Sequence, residues 1–519
     1  MSIEPIGVSP SESGQERTPS FSDSKTRDID ATPQQEVITI DWSPDDPQSP
    51  QNWSTWRKYS CLVTLLTTTT ITAANCTHVA IVNPAGQERF GVDRDHFTLA
   101  ITLLLIAIAF APLFLAPLSE TLGRNVIYQV TGVVTAAMYI PQALTTNFSG
   151  FLAARCFQGM SQSVGNSLVS GTVADMFSPD QRGTPMGLFT LATFLGQTIG
   201  GTVFGWVVQE LGFQWVYGIQ GIAAGATCVL NVLFVRETRI DNLLEKRARE
   251  LTKKTGIKHV CRGAASKKQG FEVLATSCLR PLKFLVTEPI VSALTTWIAF
   301  AWAMIFLGGT SVSLVFAQYG WNTGQRGSAQ SAVFIGGLAG YFAGSHQEAL
   351  YRRAARKNGG IAPPEARLYY AAYGGLCFPI GTYVFAWTGK PSIPWIVPAI
   401  ALCISNFGIY TIYAGTFTYL ADAYETYSSS ANAAQSFARN ILAAVFPLFA
   451  YQFYTGMGYS QAGTLVASVA LFLGLAPLIL LRYGADLRAR SKVASELRRE
   501  FIADRAEEDG VHDLEMESR

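Results

Sequence analysis

Charge is scarce in this chain. Asp, Glu, Lys and Arg make up 15% of its 519 residues, and the formal net charge is only +2. Nothing in that balance implies a nucleic-acid partner. The eight cysteines form no CxxC pair and no His–Cys cluster, which removes the sequence basis for a zinc site or a disulfide framework. No GxxxxGK string occurs, so phosphate-cradling P-loop chemistry is not expected. The apolar stretches hold no His/Asp/Glu cluster, so neither an embedded enzyme nor a cofactor or metal is expected. Residues 1–50 are rich in Ser, Pro, Asp and Glu and lack an early apolar core, so no secretory signal is read there. The first long apolar stretch is expected to serve as the insertion signal.

Long apolar runs are abundant. Hydrophobic residues are 49% of the chain and bunch at about 59–82, 96–117, 126–146, 150–174, 184–208 and 213–235. They resume near 289–317, 328–350, 367–388, 394–421, 430–455 and 460–482. About 20 apolar residues suffice to cross a bilayer as a helix. The expected fold is therefore an all-α membrane protein with twelve transmembrane helices in two six-helix pseudo-repeats, numbered here as spans 1–12. The expected organisation is a disordered tail (1–50), a first bundle (51–235), a central loop (236–288), a second bundle (289–483) and a C-terminal tail (484–519). Connections holding Arg57, Lys58, Arg124, Arg182, Arg352, Arg353, Arg356, Lys357, Arg367, Arg488 and Arg490 lie on one side. Positive residues accumulate in cytosolic loops, so that side and both termini are assigned to the cytosol. The sequon at Asn147 sits in a loop too short for occupancy to be expected.

The central loop, with Arg236-Glu-Thr-Arg239 and Glu245-Lys-Arg-Ala-Arg-Glu250, reads as a helix-forming linker along the cytosolic face. An internal repeat is visible: Ala116, Glu120 and Arg124 end span 2, and Gly344, Glu348 and Arg352 end span 8 with the same spacing. Corresponding positions in two halves are what duplicated carriers show.

Several motifs resemble the major facilitator superfamily, and within it the fungal twelve-span drug:proton antiporters. Asn52-Trp-Ser54 with Arg57-Lys58 resembles that group's lead-in to span 1. Ala116-Pro-Leu-Ser-Glu-Thr-Leu-Gly-Arg124 resembles the superfamily's loop between spans 2 and 3, with Glu120 where most members have Asp and Asn125 where a basic residue is usual. Arg155-x-x-Gln158-Gly159 resembles the proton-linked motif of span 4. Gly187, Gly196, Gly200 and Gly205 keep the antiporter spacing of span 5, while Gly201 replaces its Pro and Phe204 one of its closing glycines. Tyr419-Leu-Ala-Asp422-x-Tyr424, Ser429-Ser-Ala431 and Arg439 resemble the group's span 10–11 region. The resemblance implies a proton-coupled secondary carrier that exports a medium-sized organic molecule (drug, toxin or secondary metabolite) by alternating access. A monomer in the plasma membrane, or in a vacuolar or vesicular one, is the implied form, with a small-molecule substrate, protons and membrane lipid as partners. An uptake permease for a small organic nutrient or acid, and a transport-dead sensor, are the alternatives.

Candidate site residues follow from helical spacing and from that resemblance. Arg155, Gly159, Gln162 and Asn166 share one face of span 4. A charge at the bilayer centre costs about 2.5–3.5 kcal/mol on insertion scales, so Arg155 is expected to face a cavity or a partner. Asn406, Tyr410, Tyr413 and Phe417 form a polar and aromatic face of span 10. The superfamily arrangement, with spans 1, 4, 7 and 10 central, adds Asn75, Trp297 and Met304 as cavity candidates, with Gln197 on its flank. Coupling candidates are Arg155, His78, which titrates near neutral pH when unperturbed, and Asp422, with Arg439 as a possible ion-pair partner. Glu120, Gly123 and Arg124 are expected to form a cytosolic gate, with the carboxylate meeting the N-terminus of span 11.

Overall fold

The computed structural model describes residues 37–490 apart from 41, 44–45, 179–180, 262–269, 359–361 and 425–427. The expected solvated leader up to residue 36 and the C-terminal tail beyond 490 lie outside the described residues. The chain begins with strand β1 (Val37–Ile40) and a 3-10 turn (Pro50–Asn52). Span 1 is broken: α1 (Thr55–Thr77) and α2 (Val79–Phe90) meet at His78 with a 55° bend. Within α2, Pro84 has no N–H with which to bond the preceding turn. Spans 2–6 are α3 (Arg94–Leu122), α4 (Arg124–Leu144), α5 (Phe148–Met176), α6 (Gly183–Glu210) and α7 (Phe213–Phe234).

The central loop, expected as a helix-forming linker, also holds a strand. It contains α8 (Ile240–Thr255), β2 (Lys258–Cys261) and α9 (Gly270–Thr287). Strand β2 pairs in parallel with β1, Val37 opposite Lys258 and Ile40 opposite Cys261. Residues 37–40 are thus an ordered part of a segment expected to be a disordered tail. Nearby, Arg247 on α8 pairs with Asp46. Hydrogen bonds from Arg247 and the Gln48 amide hold the Asp46 carboxyl below the usual carboxylate range.

Span 7 is α10 (Pro289–Ala317). A short helix, α11 (Thr323–Ser328), then leads into span 8, α12 (Ser331–Lys357). A capping box starts α11: Asn322 accepts from the Gln325 amide at 2.8 Å while Gln325 Oε1 accepts from the Asn322 amide at 3.0 Å. Spans 9–11 are α13 (Tyr369–Thr388), α14 (Ile396–Tyr424) and α15 (Ser428–Met457), and span 12 is α16 (Tyr459–Leu473) with α17 (Leu475–Arg490). Every one of the twelve expected stretches is helical. Among the described residues, seven helices are long and apolar enough to cross a membrane alone, and the bent α1–α2 pair makes an eighth. The remaining spans are more polar and pack laterally, α4 on α5 and α7, and α13 on α14 and α16.

The two halves meet along two seams. One joins α3 to α15 and the other joins α6 to α11 and α12. Glycine sets the second seam: a Cβ on Gly327 would stand 2.3 Å from the Gly201 carbonyl oxygen, and one on Gly201 would stand 2.1 Å from Gln330 Oε1. A proline at 201 would meet the same obstruction, so this departure from the antiporter pattern matches the closeness of the seam.

Candidate functional site

A cavity of about 1670 Å³ lies between the halves and reaches the Lys/Arg-rich face. Its inner end is aromatic. The Tyr410 hydroxyl donates to the Gly187 carbonyl at 3.1 Å, and the Tyr410 ring meets Phe194 edge-on at 5.3 Å. A Cβ on Gly340 would stand 2.5 Å from the Tyr410 ring, so glycine makes room for it. Tyr413 stacks against Phe417 and lies 5.4 Å from the ring of Trp302. Asn166, Tyr410 and Tyr413 line this space together with Thr190 and Phe417.

The sequence offered Arg439 as part of the span 10–11 motif and as a partner for Asp422, but Asp422 pairs with Arg367 instead. The Arg439 side chain lines the cavity although the residue is only 2% exposed. The guanidinium lies over the rings of Trp302 at 4.6 Å and Tyr413 at 4.9 Å. Its Nη2 donates to Ser436 Oγ at 3.3 Å, while Nε and Nη1 have no hydrogen-bond partner among the described residues. The signal that could have found it is the one applied to Arg155: a lone cation inside an apolar span.

Arg155 is placed differently from expectation. It is fully buried outside the cavity wall, with Nη1 donating to Asn75 Oδ1 at 2.6 Å, Nε to the Ala100 carbonyl at 3.1 Å and Nη2 to the Asn75 carbonyl at 3.3 Å. Asn75 Nδ2 donates in turn to Gln158 and Gln162, each at 2.8 Å, and Gln162 donates to Tyr139. The chain of neutral acceptors disperses the charge without a carboxylate. Gly159 permits this packing, since a Cβ there would lie 2.5 Å from the Leu104 carbonyl oxygen. Arg155, Gln162 and Asn75 therefore hold spans 1, 2 and 4 together instead of lining the cavity. Trp297 is also buried away from it, against Gly375. Gln197, Asn406 and Met304 line a separate space of about 110 Å³. His78 enters neither space: its Nδ1 lies 3.2 Å from the Ala74 carbonyl oxygen, and its ring packs edge-on against Phe204 and Tyr217.

The rim of the large cavity repeats one motif in both halves. Arg124 at the start of α4 pairs with Asp175 at the end of α5, 2.5 Å apart. Arg367 before α13 pairs with Asp422 at the end of α14 at 2.7 Å, and also with Glu348 at 2.9 Å. Tyr351 donates to Asp422 at 3.1 Å. The geometric counterpart of Arg124 is thus Arg367, not the Arg352 suggested by sequence spacing. A carboxylate does cap a helix N-terminus here, but it belongs to Glu237 of the central loop. It accepts from the Arg124 and Asn125 amides at 3.1 and 3.2 Å, at span 3 and not span 11. Glu120 is exposed, and its carboxylate makes no hydrogen bond among the described residues. Gly123, at φ +98°, lies so close that a Cβ would stand 2.3 Å from Glu237 Oε2.

The opposite end is sealed by hydrogen bonds across both seams, neutral at α6–α11 and joined at α3–α15 by charged contacts, Gln452 donating to Asp95 at 2.6 Å and Arg94 lying over the Tyr451 ring at 4.1 Å. Thr198 donates to the Gln330 carbonyl at 3.3 Å, Thr202 to Gly327 at 3.1 Å and Thr102 to Ala444 at 3.0 Å. Trp206 donates to Ser328 Oγ at 3.0 Å, and Gln209 accepts from the Gly324 amide at 2.9 Å. One face is open and the other closed, which is one half of an alternating-access cycle.

Comparison with known proteins identifies the family. The sequence is 34% identical to the MFS-type efflux pump MFS2 of Trichophyton rubrum, over 88% of this chain and 77% of that protein. It is 32% identical to the major facilitator superfamily multidrug transporter mdrA of Aspergillus fumigatus, over 89% and 77%. The xylose transporter XylE of E. coli, in a partially occluded inward-open conformation, shares the fold: TM-score 0.56, 14% identity, 82% of this chain and 99% of that one. The profile of the Major Facilitator Superfamily matches residues 63–447, and this multi-pass membrane transporter belongs to that family.

Proposed function

We propose that the chain exports a medium-sized organic molecule from the cytosol across the plasma membrane, as a monomeric secondary carrier coupled to proton entry. The carrying observation is the large cavity, walled by Tyr410, Tyr413 and Phe417 beside Asn166 and Thr190, which opens on the basic face while the other end is sealed. Rings beside a few polar groups suit an organic solute. Lys/Arg bias puts the open face in the cytosol. The naming of relatives as efflux pumps and multidrug transporters supports the direction. Of the three coupling candidates, Arg155 and His78 are shut away from the cavity, whereas Asp422 lines it. Asp422 is therefore assigned the proton, exchanging it as Arg367 and Tyr351 release the carboxylate.

Full-length protein in proteoliposomes with an imposed pH gradient tests this. Transport of a labelled aromatic solute should run against the proton flow and collapse with a protonophore. In Asp422→Asn, driven transport should be lost while exchange of solute for solute continues. Solute moving in the same direction as protons would make the protein an importer.

A further inference from the structure

We infer that Arg439 is the anion-binding residue of the transport cavity, and that the substrate is an organic acid whose carboxylate docks on Arg439 while its apolar body lies against Tyr413 and Phe417. This rests on reading the cavity as the transport site and specifies what enters it.

Two deep arginines provide the comparison. Arg155 has each of its three nitrogens on a protein oxygen. Arg439 is also buried, yet two of its three nitrogens are unmatched among the described residues, and the third donates to the Ser436 hydroxyl. It lies eleven residues into α15, about 16 Å along the helix, and so near the middle of a core about 30 Å thick. A cation at that depth needs a partner, and the described protein offers aromatic faces instead of a carboxylate. One and two turns back on the same helix face, Gln435 Oε1 and Asn432 Oδ1 are also buried without partners. Amides there can turn either end toward a bound group.

Charge along the approach agrees. Eight Lys and Arg line the cavity against three carboxylates, and two of those, Glu348 and Asp422, already share Arg367. A mouth of that sign draws anions inward. The mouth follows from topology; the unmatched guanidinium at depth does not. Its planar fork suits a carboxylate, which can accept two hydrogen bonds at once.

The test uses purified full-length protein, with 1-naphthoate and its neutral analogue 1-naphthamide as probes, read by tryptophan fluorescence and by melting temperature. Wild type should bind naphthoate at least about tenfold more tightly than naphthamide. Arg439→Gln should abolish that preference, weakening naphthoate at least about tenfold and naphthamide by much less, and should not lower the melting temperature. Arg439→Lys should keep part of the preference. Equal binding of the two probes by wild type, or a preference that survives in Arg439→Gln, overturns the inference. So does complete displacement of naphthoate by an equal concentration of chloride or inorganic phosphate, which would mark a general anion site. Flux separates this inference from the carrier reading. If wild type and Arg439→Gln transport naphthamide and naphthoate alike, the anion site is wrong and the carrier stands. Arg439-dependent naphthoate binding without flux of either probe retains the anion site and removes the carrier.

Discussion

Gly123 is held by two constraints at once, its φ of +98° and the Glu237 carboxylate 2.3 Å from where a Cβ would lie. Gly123→Ala should therefore destabilise the protein by about 1–2 kcal/mol or more, read as a lower melting temperature in detergent. Glu237→Gln keeps the shape but removes the charge facing the α4 N-terminus; a loss of about 0.3–1 kcal/mol is expected, shrinking at high salt. Arg155→Ala would strand Asn75 Oδ1 and disrupt the linked amides, costing about 1–3 kcal/mol for each buried group left unmatched. Melting should report that loss even in protein purified at normal yield, and unchanged stability would remove Arg155 from the framework. At this scale the sequence was informative about which residues are unusual and uninformative about what surrounds them. Arg155 and Arg439 are both lone cations in apolar spans. Spacing cannot tell that one meets carbonyl and amide oxygens from neighbouring helices while the other meets ring faces.

Apolar bunching marked all twelve helical stretches, but length and apolarity suffice for a crossing only in seven helices and the bent α1–α2 pair among the described residues; the others are more polar. Bunching could not reveal the bend at His78, where the ring packs against Phe204 of α6 and Tyr217 of α7, nor the β1–β2 pair. Val37–Ile40 is too short to stand out from its polar surroundings, and its partner lies in the charged central loop. Thr39→Pro, which removes an amide from β1, should expose the α8–β2 segment to limited proteolysis while the spans stay intact. The α6–α11 seam is a sharper case, since its closeness comes from absent side chains. Gly327→Ala must push α11 from the Gly201 carbonyl. The sealed state should lose population, and a cysteine at position 202 should label faster with an impermeant reagent. Unaltered labelling would mean that the seam tolerates the methyl group.

Orientation of the whole molecule is checked from outside the cell. Single cysteines at positions 325 and 391 should react with an impermeant reagent on intact cells, and cysteines at 250 and 355 should not; the reverse pattern would invert the topology. Alternation between states then depends on what the two ends are made of. The α6–α11 seam of the sealed end is held by neutral donors, threonine hydroxyls on backbone carbonyls among them, which dissolved ions scarcely affect. Closing the other end would bring Lys58 and Arg182 of one half toward Arg352, Arg353 and Arg356 of the other. Like charges resist that approach, so the rim behaves as a spring loaded in one direction only. The empty carrier should rest with its mouth toward the cytosol and close less reluctantly as ionic strength rises. Spin-label distances across the rim should shorten between about 20 mM and about 500 mM salt, with little change across the α6–α11 seam. Cargo bearing negative charge would relax the same spring, so the molecule being carried would itself release the catch on its own departure.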